Sequence, residues 1–466
     1  MLQTDPQSLR QRLSASAGLE NRFLHGVDAR VAFADIVHLS ALGGRTRELL
    51  GRSVLIRTKD QLTAALALIE LDGVAGRLVV CPPDLPATHV PFVIGAAGVD
   101  AIVTDGDVSG ESYAGANSII PCSRELVPAE PDHGVPCQTE WILLTSGTTG
   151  LPKLVLHTLG SLTDAINGRL KPAPRFVWGT FYDIRRYGGL QVFLRAVLGG
   201  CSLVLSHADE PVADFLDRAG AVGVTHISGT PSHWRRALMS PAASRIEPHY
   251  VRLSGEIVDQ AILDRLRIRY PQATIAHAFA STEAGVAFEV GDGLEGFPAS
   301  VIEGAAGGVE IKVEQGSLRI RSPRTAAGYV GRGANQLPGS GGFVDTGDVV
   351  ERRGSRYYFA GRGDGVINVG GTKVHPEEVE GVINRHPQVQ MSLVRPRRNP
   401  ITGALVVADV VLNAEAAAAG AERTELQGQI LQLCRETLPR HKVPAAVHFV
   451  SDLALSPNGK MVRSHA

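Results

Sequence analysis

The strongest constraint on the fold of this chain comes from an apolar segment that runs directly into a loop of glycine, hydroxyl side chains and lysine. The segment WILLT (141–145) is apolar and strand-length, and TSGTTGLPK (145–153) begins at its last residue. The pattern of 157–170 is that of a helix. A loop of this kind exposes backbone N–H groups, hydroxyl donors and one cation, which together suit a polyphosphate. The sequence therefore predicts a phosphate-binding loop in an α/β layer, with a polar surface loop as the alternative.

Short apolar runs and helical stretches alternate along most of the chain, which is typical of strand–helix layers. The runs that we interpret as strands lie at 77–82, 100–105, 201–206, 225–230 and 274–281. After residue 300 the pattern has period two, and segments 307–322 and 348–362 predict hairpins. A compact tail follows residue 365, with an alanine-rich loop (413–422) that leads into a helix at 422–438.

We therefore predict an α/β protein with two domains. The large N-terminal domain, residues 1–363, consists of layered α/β subdomains plus a small β-barrel-like part. The small C-terminal domain, residues 364–466, is α+β. A chain of 466 residues with 44% hydrophobic residues is long and apolar enough for cores of this size.

Charge and cysteine usage argue against several classes of protein. The 46 Lys and Arg against 47 Asp and Glu leave a net charge of −1, which gives no overall attraction to nucleic acid or an anionic membrane. The five cysteines form no CxxC pair that would indicate zinc or a redox couple. No apolar stretch has the length of a membrane span, and the first residues lack a secretory pattern. We expect a cytoplasmic protein with no nucleic-acid and no membrane partner.

Five sequence blocks occur in the order seen in the adenylate-forming superfamily, which comprises acyl- and aryl-CoA synthetases, peptide-synthetase adenylation domains and luciferases. The chain resembles this family over residues 140–463. The blocks are TSGTTGLPK (145–153), AFASTEAG (278–285), FVDTGDVVERRG (343–354), GRGDGVINVGGTKVHPEEVE (361–380) and LPRHKVPAAVHFVSDLALSPNGKMVR (438–463). The resemblance implies that ATP and a carboxylic acid form an acyl-adenylate and pyrophosphate, after which a thiol takes the acyl group. It also implies a hinge and a mobile C-terminal domain.

The resemblance assigns the nucleotide contacts to the first four blocks. The residues implied to surround the phosphates are Thr145, Ser146, Gly147, Thr148, Thr149, Gly150 and Lys153. In the second block, Phe279 would stack on adenine beside Ala280 and Ser281, Thr282 would contact the α-phosphate, and Glu283 would help hold Mg²⁺. Asp348 would accept hydrogen bonds from the ribose, which Arg362 would also reach. Without the blocks, these charged residues would be interpreted as turn residues or surface ion pairs.

The last two blocks carry the residues that the resemblance connects with domain movement. Lys460, in PNGKMVR, would bridge the carboxylate and the α-phosphate while negative charge develops. Asp364 would lie at the hinge. Gly370 and Gly371 would face the tunnel for the thiol-bearing arm, or else form a tight hairpin turn.

The segment implied to border the acyl site departs from the family pattern. The family often carries a proline, an aromatic residue and a histidine in this segment, whereas residues 179–205 contain no histidine and carry Asp183, Arg185 and Arg186. A guanidinium there would clamp a polar group of the acid; alternatively, both arginines point outward or pair with Asp183. Gly229 and Gly255 fall where other walls of the pocket are expected.

The function that the sequence favours is that of an AMP-forming acyl- or aryl-CoA ligase that uses ATP, Mg²⁺ and coenzyme A on a small-molecule carboxylic acid. One alternative is an adenylation enzyme that loads the phosphopantetheine of a separate carrier protein. A second is a non-catalytic nucleotide-binding relative, against which the intact Lys153, Glu283 and Lys460 argue.

Overall fold

The computed structural model of the chain describes residues 8–106, 113, 115–129, 137–145, 150–167, 176–304, 307–331, 337, 339–399, 403–418, 422–456 and 459–463. Every structural statement below refers to these residues. Within these ranges, no helix combines the length and the apolar character needed to span a bilayer.

The helices follow the chain as α1 (Leu9–Ser14), α2 (Phe33–His38), α3 (Gln61–Leu71), α4 (Val90–Ala97), α5 (Leu159–Asn167), α6 (Tyr187–Leu198), α7 (Val212–Val222), α8 (Pro231–Met239), α9 (Gln260–Arg269), α10 (Ser300–Glu303), α11 (Pro376–Ile383), α12 (Ala414–Ala418) and α13 (Arg423–Thr437).

The strands of the first half are β1 (Phe23–His25), β2 (Arg30–Ala32), β3 (Leu39–Ser40), β4 (Ser53–Ile56), β5 (Arg77–Val80), β6 (Ala101–Thr104), β7 (Ser118–Pro121), β8 (Val127–Pro128), β9 (Glu140–Thr145), β10 (Lys153–Thr158), β11 (Val177–Thr180), β12 (Ser202–Leu205) and β13 (His226–Gly229). Those of the second half are β14 (Tyr250–Ser254), β15 (Thr274–Ser281), β16 (Gly285–Val290), β17 (Phe297–Pro298), β18 (Glu310–Glu314), β19 (Ser317–Arg321), β20 (Gly328–Val330), β21 (Val344–Arg353), β22 (Arg356–Arg362), β23 (Ile367–Val369), β24 (Thr372–Val374), β25 (Val389–Asn399), β26 (Gly403–Leu412) and β27 (Ala446–Phe449).

Two large sheets, mostly parallel, form the body of the molecule. One has the order β16-β15-β14-β13-β11-β12-β1-β2, and the other has the order β20-β10-β9-β5-β4-β6-β7. Every residue of β4, β6 and β12 is buried, as expected for parallel strands that are covered on both faces. Helices α3, α5 and α6 contribute to the core cluster that the two sheets share.

The remaining strands form smaller sheets. Strands β17, β22, β21, β19 and β18 make an antiparallel sheet. Strands β25, β26 and β27 make a mixed sheet around the C-terminal core, in which β25 and β26 are antiparallel and β26 and β27 are parallel. The hairpin β18–β19 turns through Gln315 and Gly316, both with positive φ, as the Gln-Gly pattern predicts.

The predicted fold class is confirmed, with two local corrections. The helix predicted at 157–170 begins at Leu159, because His157 and Thr158 continue β10. The alanine-rich loop contains α12, since alanine favours helix and the Asn413 side chain accepts a hydrogen bond from the Ala416 N–H at 2.9 Å. The chain leaves the antiparallel sheet at Arg362 and enters β23 at Ile367, and we keep our domain boundary in this connection as an interpretation.

Candidate active site

The residues predicted to act on the substrate follow the carboxyl ends of strands. Thr145 ends β9, Gly229 ends β13, Ser281 ends β15, and Gly255 comes directly after β14. The carboxyl ends of parallel strands meet at one edge of a sheet, where α/β folds place their ligand sites. The sheet topology therefore gathers segments that lie far apart in the sequence.

The phosphate-loop block forms the connection of the antiparallel pair β9–β10. Thr145 and Lys153 are directly opposite each other in this pair. The Thr145 Oγ1 is buried and has no hydrogen-bond partner among the described residues. Ser146, Gly147, Thr148 and Thr149 lie outside the described residues, and Gly150 follows with φ of +86°. An unpaired hydroxyl thus lies opposite an exposed lysine at the base of the loop.

The turn that carries Thr282 and Glu283 joins β15 to β16 and is fixed by the neighbouring sheet. The Thr282 carbonyl lies 2.7 Å from the Nε2 of His157 on β10. A carbonyl can only accept, so Nε2 carries the proton, and burial lowers the pKa of this imidazole to about 4. His157 is therefore neutral at physiological pH and holds the turn in place. Apart from the strand pattern of β10, nothing in the sequence indicates that His157 contacts Thr282.

Tyr329 on β20 connects the same turn to the phosphate loop. Its hydroxyl donates to Glu283 Oε1 at 3.4 Å, and the Lys153 Nζ lies 5.8 Å from the centre of its ring. Burial and the Glu283 carboxylate raise the pKa of Tyr329 to about 12. The structure thus places Lys153 and Glu283 on two sides of one tyrosine, which our sequence analysis missed.

Phe279, predicted to stack on adenine, belongs to a row of nearly parallel rings. Its ring centre lies 5.7 Å from that of Phe288 and 5.3 Å from that of Phe359, with interplanar angles of 16° and 10°. The register of β15 and β16 shifts between Phe279 and Ala280. Ser281 Oγ accepts the Ala284 N–H at 3.0 Å, which tightens the turn that follows.

Asp348 and Arg362 are directly opposite each other on β21 and β22. Burial raises the pKa of Asp348, although the charges of Arg362 and Lys460 oppose the shift. The Arg362 Nε donates to Asp364 Oδ1 at 3.0 Å, so the predicted hinge residue is paired with a predicted ribose contact.

Lys460 reaches this edge of the sheet from a short C-terminal hairpin in which Leu455 bridges Met461. Gly459 has φ of +69°, and a Cβ on it would lie 1.8 Å from the His233 ring, so only glycine fits against this imidazole. Thr230 Oγ1 donates to the Gly459 carbonyl at 2.7 Å.

Glu256 holds the other side of the hairpin. Its Oε1 accepts the Met461 N–H at 3.0 Å, and Ser232 donates to the same carboxylate from its N–H and its Oγ. We call this set of contacts, made by Thr230, His233 and Glu256 with Gly459 and Met461, the hairpin dock. On the N-terminal side, Thr230 directly follows β13, His233 lies in the first turn of α8, and Glu256 comes two residues after β14.

The Lys460 side chain lies in a cleft that is open to solvent. A Cβ on Gly255 would lie 3.4 Å from the Lys460 Cε, which places Gly255 in the wall of this cleft. The surrounding protein lowers the pKa of Lys460 by desolvation, with Glu256 and Asp348 opposing and Arg362 and Arg186 adding to the shift. The cation therefore faces both signs of charge at close range.

Further polar contacts attach the C-terminal part to α8 and α9. Arg236 donates to Asp452 Oδ2 at 2.9 Å, and the Gln390 side chain donates to the Arg235 carbonyl at 2.6 Å. The Asn384 amide donates to Asp259 Oδ2 at 3.1 Å. Because these contacts surround the hairpin dock, they favour the domain orientation in which Lys460 occupies the cleft.

The acyl clamp that we predicted from Arg185 is wrong. The side chain is 1% exposed, and its Nε and Nη2 donate to Asp183 at 2.8 and 2.6 Å. Its Nη1 donates to the carbonyls of Thr58 and Lys59. All three nitrogens are engaged, so Arg185 pairs inside the fold and has none left for a substrate.

Arg186 and Gly229 also differ from simple pocket walls. Arg186 pairs with Asp84, yet its charge acts on Lys460, which places it beside the cleft. A Cβ on Gly229 would lie 2.8 Å from the ring of Phe181, which belongs to the core cluster of α7, α8 and α9. Glycine at this position therefore allows close packing against Phe181.

Gly370 and Gly371 form the two-residue turn between β23 and β24. Both have positive φ, 57° and 84°, and both are exposed. The alternative of a tight hairpin turn is therefore confirmed, and the role near a thiol stays a prediction.

Comparisons with known proteins agree with this arrangement. The family model of the AMP-binding enzymes matches residues 54–330, and that of their C-terminal domain matches 378–460. A 2-succinylbenzoate–CoA ligase of Bacillus velezensis is 24% identical over 89% of this chain and 82% of its own length. A probable non-canonical nonribosomal peptide synthetase of Salinispora arenicola is 28% identical over 88% of this chain, which spans 5% of that protein.

Among solved structures, an anthranilate CoA ligase in complex with anthranoyl-AMP superposes with a TM-score of 0.79 at 18% identity, covering 98% of this chain and 95% of that one. The chain therefore belongs to the family of AMP-binding enzymes, and it is an adenylate-forming ligase that activates a carboxylic acid with ATP and passes the acyl group to a thiol.

Proposed function

We propose that this protein is an AMP-forming ligase that joins a small aromatic acid to coenzyme A, with Lys460 as the catalytic residue of the first half-reaction. The observation that carries the proposal is the seating of Lys460 in the cleft beside Gly255, where the charges of Asp348 and Arg362 act on it. The hairpin dock holds the backbone on both sides of Lys460 through Thr230 and Glu256, which supports a role for this lysine in the cleft.

The residues present fit ATP. The unpaired Thr145 hydroxyl and Lys153 offer a donor and a cation to phosphate oxygens. Asp348 offers carboxylate oxygens to ribose hydroxyls, and Phe279 offers a ring face to the base. Each of these groups matches one part of the nucleotide.

Magnesium fits the same cleft through Glu283. No group of three or more His, Cys, Asp or Glu side chains suited to a metal occurs in the described part of the chain. Mg²⁺ usually keeps several waters and binds through one or two carboxylates together with substrate phosphates, so a single glutamate beside the phosphate loop is sufficient. When bound, the ion would neutralise charge on the phosphates.

The Lys460 ammonium would stabilise the negative charge that develops while the acid's carboxylate attacks the α-phosphate. Because the hairpin delivers this cation only when it is seated, the stabilisation applies to the transition state of adenylation. Rotation near Asp364 would then remove Lys460 and bring the Gly370–Gly371 turn toward the thiol.

The names of the relatives support an aromatic acid. One curated relative is named for 2-succinylbenzoate, and the superposed structure contains anthranoyl-AMP. Coenzyme A is the acceptor in both names, whereas the peptide-synthetase relative supports a carrier protein as the second candidate.

Exchange of labelled pyrophosphate into ATP, measured with a panel of aromatic and aliphatic acids, tests the first half-reaction. We expect acid-dependent exchange that requires Mg²⁺, and coenzyme A should then convert the bound adenylate to a thioester. Absence of exchange with every acid would contradict the proposal. Thioester formation only on a phosphopantetheinylated carrier would transfer support to the second candidate.

A further inference from the structure

The central parallel strands present a row of small side chains with one arginine among them. Thr180, Ser228, Arg252 and Ala276 are register partners on β11, β13, β14 and β15, so they share one face of the sheet. Trp178 lies two residues before Thr180 on β11 and therefore shares its face of the sheet. Trp178 belongs to the core cluster that includes α5 and α6, so the row of side chains lies on the face that these helices cover. Small neighbours on both sides leave space around the guanidinium.

Arg252 is buried but only partly used. It is 8% exposed, and its Nε donates to Glu289 Oε2 at 3.0 Å. Its Nη1 and Nη2 have no hydrogen-bond partner among the described residues. Neither nitrogen is fully buried, so these two donors remain reachable from solvent and are available to a ligand.

A second buried group beside Arg252 is also unpaired. Ser228, its register partner, is 1% exposed, and its Oγ has no partner among the described residues. The Gln191 Oε1 on α6 is likewise buried and unpaired, one turn after Tyr187, whose hydroxyl senses the charge of Arg252. Arg252 thus has open donors, and its register partner Ser228 has an open hydroxyl.

This position lies below the catalytic cleft. Arg252 precedes Gly255 by three residues of extended strand, which corresponds to about 10 Å. In the other direction, the rings of Trp178, His226 and Tyr250 close the space, with centres 4.9 and 5.6 Å apart between neighbours. The aromatic floor therefore lies at one end of this strand segment, and Gly255, beside Lys460, lies at the other.

We propose that Arg252 and Ser228 form the distal end of the acyl pocket and bind an uncharged oxygen, a hydroxyl or a carbonyl, on the acid's ring remote from its reacting carboxylate. This inference rests on the proposed function and specifies its substrate class. Glu289 already balances the charge of Arg252, so a second carboxylate would place two anions on one cation. A neutral acceptor satisfies the open donors without that cost.

Acylsulfamoyl adenosines, which are stable mimics of acyl-adenylates, allow a direct test by calorimetry. The acyl groups to compare are benzoyl, 3- and 4-hydroxybenzoyl, 4-acetylbenzoyl, 4-carboxybenzoyl and decanoyl. We expect at least one hydroxyl- or carbonyl-bearing mimic to bind the wild-type protein about 10-fold more tightly than the benzoyl mimic, or better. Arg252→Met should abolish this preference and leave benzoyl binding within a few-fold.

Removing Arg252 alone leaves the partly buried Glu289 without its partner, so the double variant Arg252→Met/Glu289→Gln provides a version in which the pair is removed together. Ser228→Ala should weaken the preference partly. The matched control is Arg269→Met, which removes a guanidinium that lies over Tyr270 at the surface of α9; its preference should equal that of the wild type.

The outcomes separate the two proposals. If no mimic binds, the proposed function fails, and this inference fails with it. If the mimics bind but the benzoyl or decanoyl group is equal or best, or if the Arg252 variants keep the wild-type preference, the pocket assignment is wrong and Arg252–Glu289 is a structural pair. Tightest binding of the carboxybenzoyl mimic would overturn the uncharged acceptor.

Discussion

At the scale of single residues, the candidate site consists of polar groups whose environment prepares them for one ligand each. Thr145 keeps an unpaired hydroxyl, and Glu283 is shared only with Tyr329 in the described contacts. Neutral His157 holds the Thr282 carbonyl and thereby the position of the Glu283 side chain. Arg185 is the opposite case, because all of its side-chain nitrogens have hydrogen-bond partners within the fold.

Glu283→Gln tests the magnesium assignment at this scale. An amide oxygen is a weaker ligand for a hard cation than a carboxylate, so the Mg²⁺ concentration that half-saturates pyrophosphate exchange should rise about 10-fold or more. The control is Glu303→Gln, an exposed carboxylate on α10. An unchanged Mg²⁺ requirement in Glu283→Gln would show that the ion binds elsewhere.

The sequence was informative for residues in contiguous blocks and misleading where partners come from afar. Lys153 and Glu283 could be named because their roles follow from neighbours in the same block. For Arg185, the alternative that it pairs with Asp183 is confirmed, whereas its other acceptors, the carbonyls of Thr58 and Lys59, lie 127 and 126 residues away and could not be predicted. Arg252 gave no signal because a single arginine in a strand has no local pattern.

At the scale of elements, the hairpin dock determines where Lys460 is presented. The contacts of Thr230 and Glu256 with the hairpin span 229 and 205 residues of sequence. The sequence blocks therefore identified Lys460 but not the residues that hold its hairpin. By contrast, β9, β18 and β19 were predicted correctly, since their patterns and turns are local.

Gly459→Ala tests the hairpin dock. The added methyl would meet the His233 ring at 1.8 Å, so the hairpin cannot seat, and adenylation should fall about 100-fold or more. Thioester formation from supplied acyl-adenylate should persist. The control is Gly403→Ala, which imposes a similar positive φ of +74° in the same domain with its nearest contact at 4.0 Å. Equal losses in both variants would attribute the effect to backbone strain.

At the scale of the whole molecule, burial of histidines makes stability depend on pH. Burial lowers the pKa to about 4 for His25, His157 and His226 and to about 3 for His233. A histidine whose pKa is lower in the folded chain binds protons more weakly there, so its stabilising contribution is complete above pH 6.5 and lost as the pH falls toward 4. Burial also lowers the pKa of His277, His375 and His386. It raises the pKa of Asp72 to about 6 and that of Asp348, Glu377 and Glu380, and these carboxyl groups act in the opposite direction, four groups against seven.

We therefore expect the free energy of unfolding to decrease between pH 7.5 and 5.0, by at most about 1.4 kcal/mol per histidine for each pH unit below 6.5. Urea unfolding at the two pH values measures the change, and His226→Gln should reduce it. Equal stability at both pH values would contradict this account of the buried imidazoles.

The central claim is that one chain performs two half-reactions and uses Lys460 only in the first. The most direct measurement compares Lys460→Ala with Lys312→Ala, a partly exposed lysine of β18 outside both proposed sites, in pyrophosphate exchange and in thioester formation from supplied acyl-adenylate. We predict that Lys460→Ala loses exchange by about 100- to 1,000-fold, keeps the melting temperature and forms thioester at the rate of the control. Equal loss of both half-reactions, or unchanged exchange, would contradict the account.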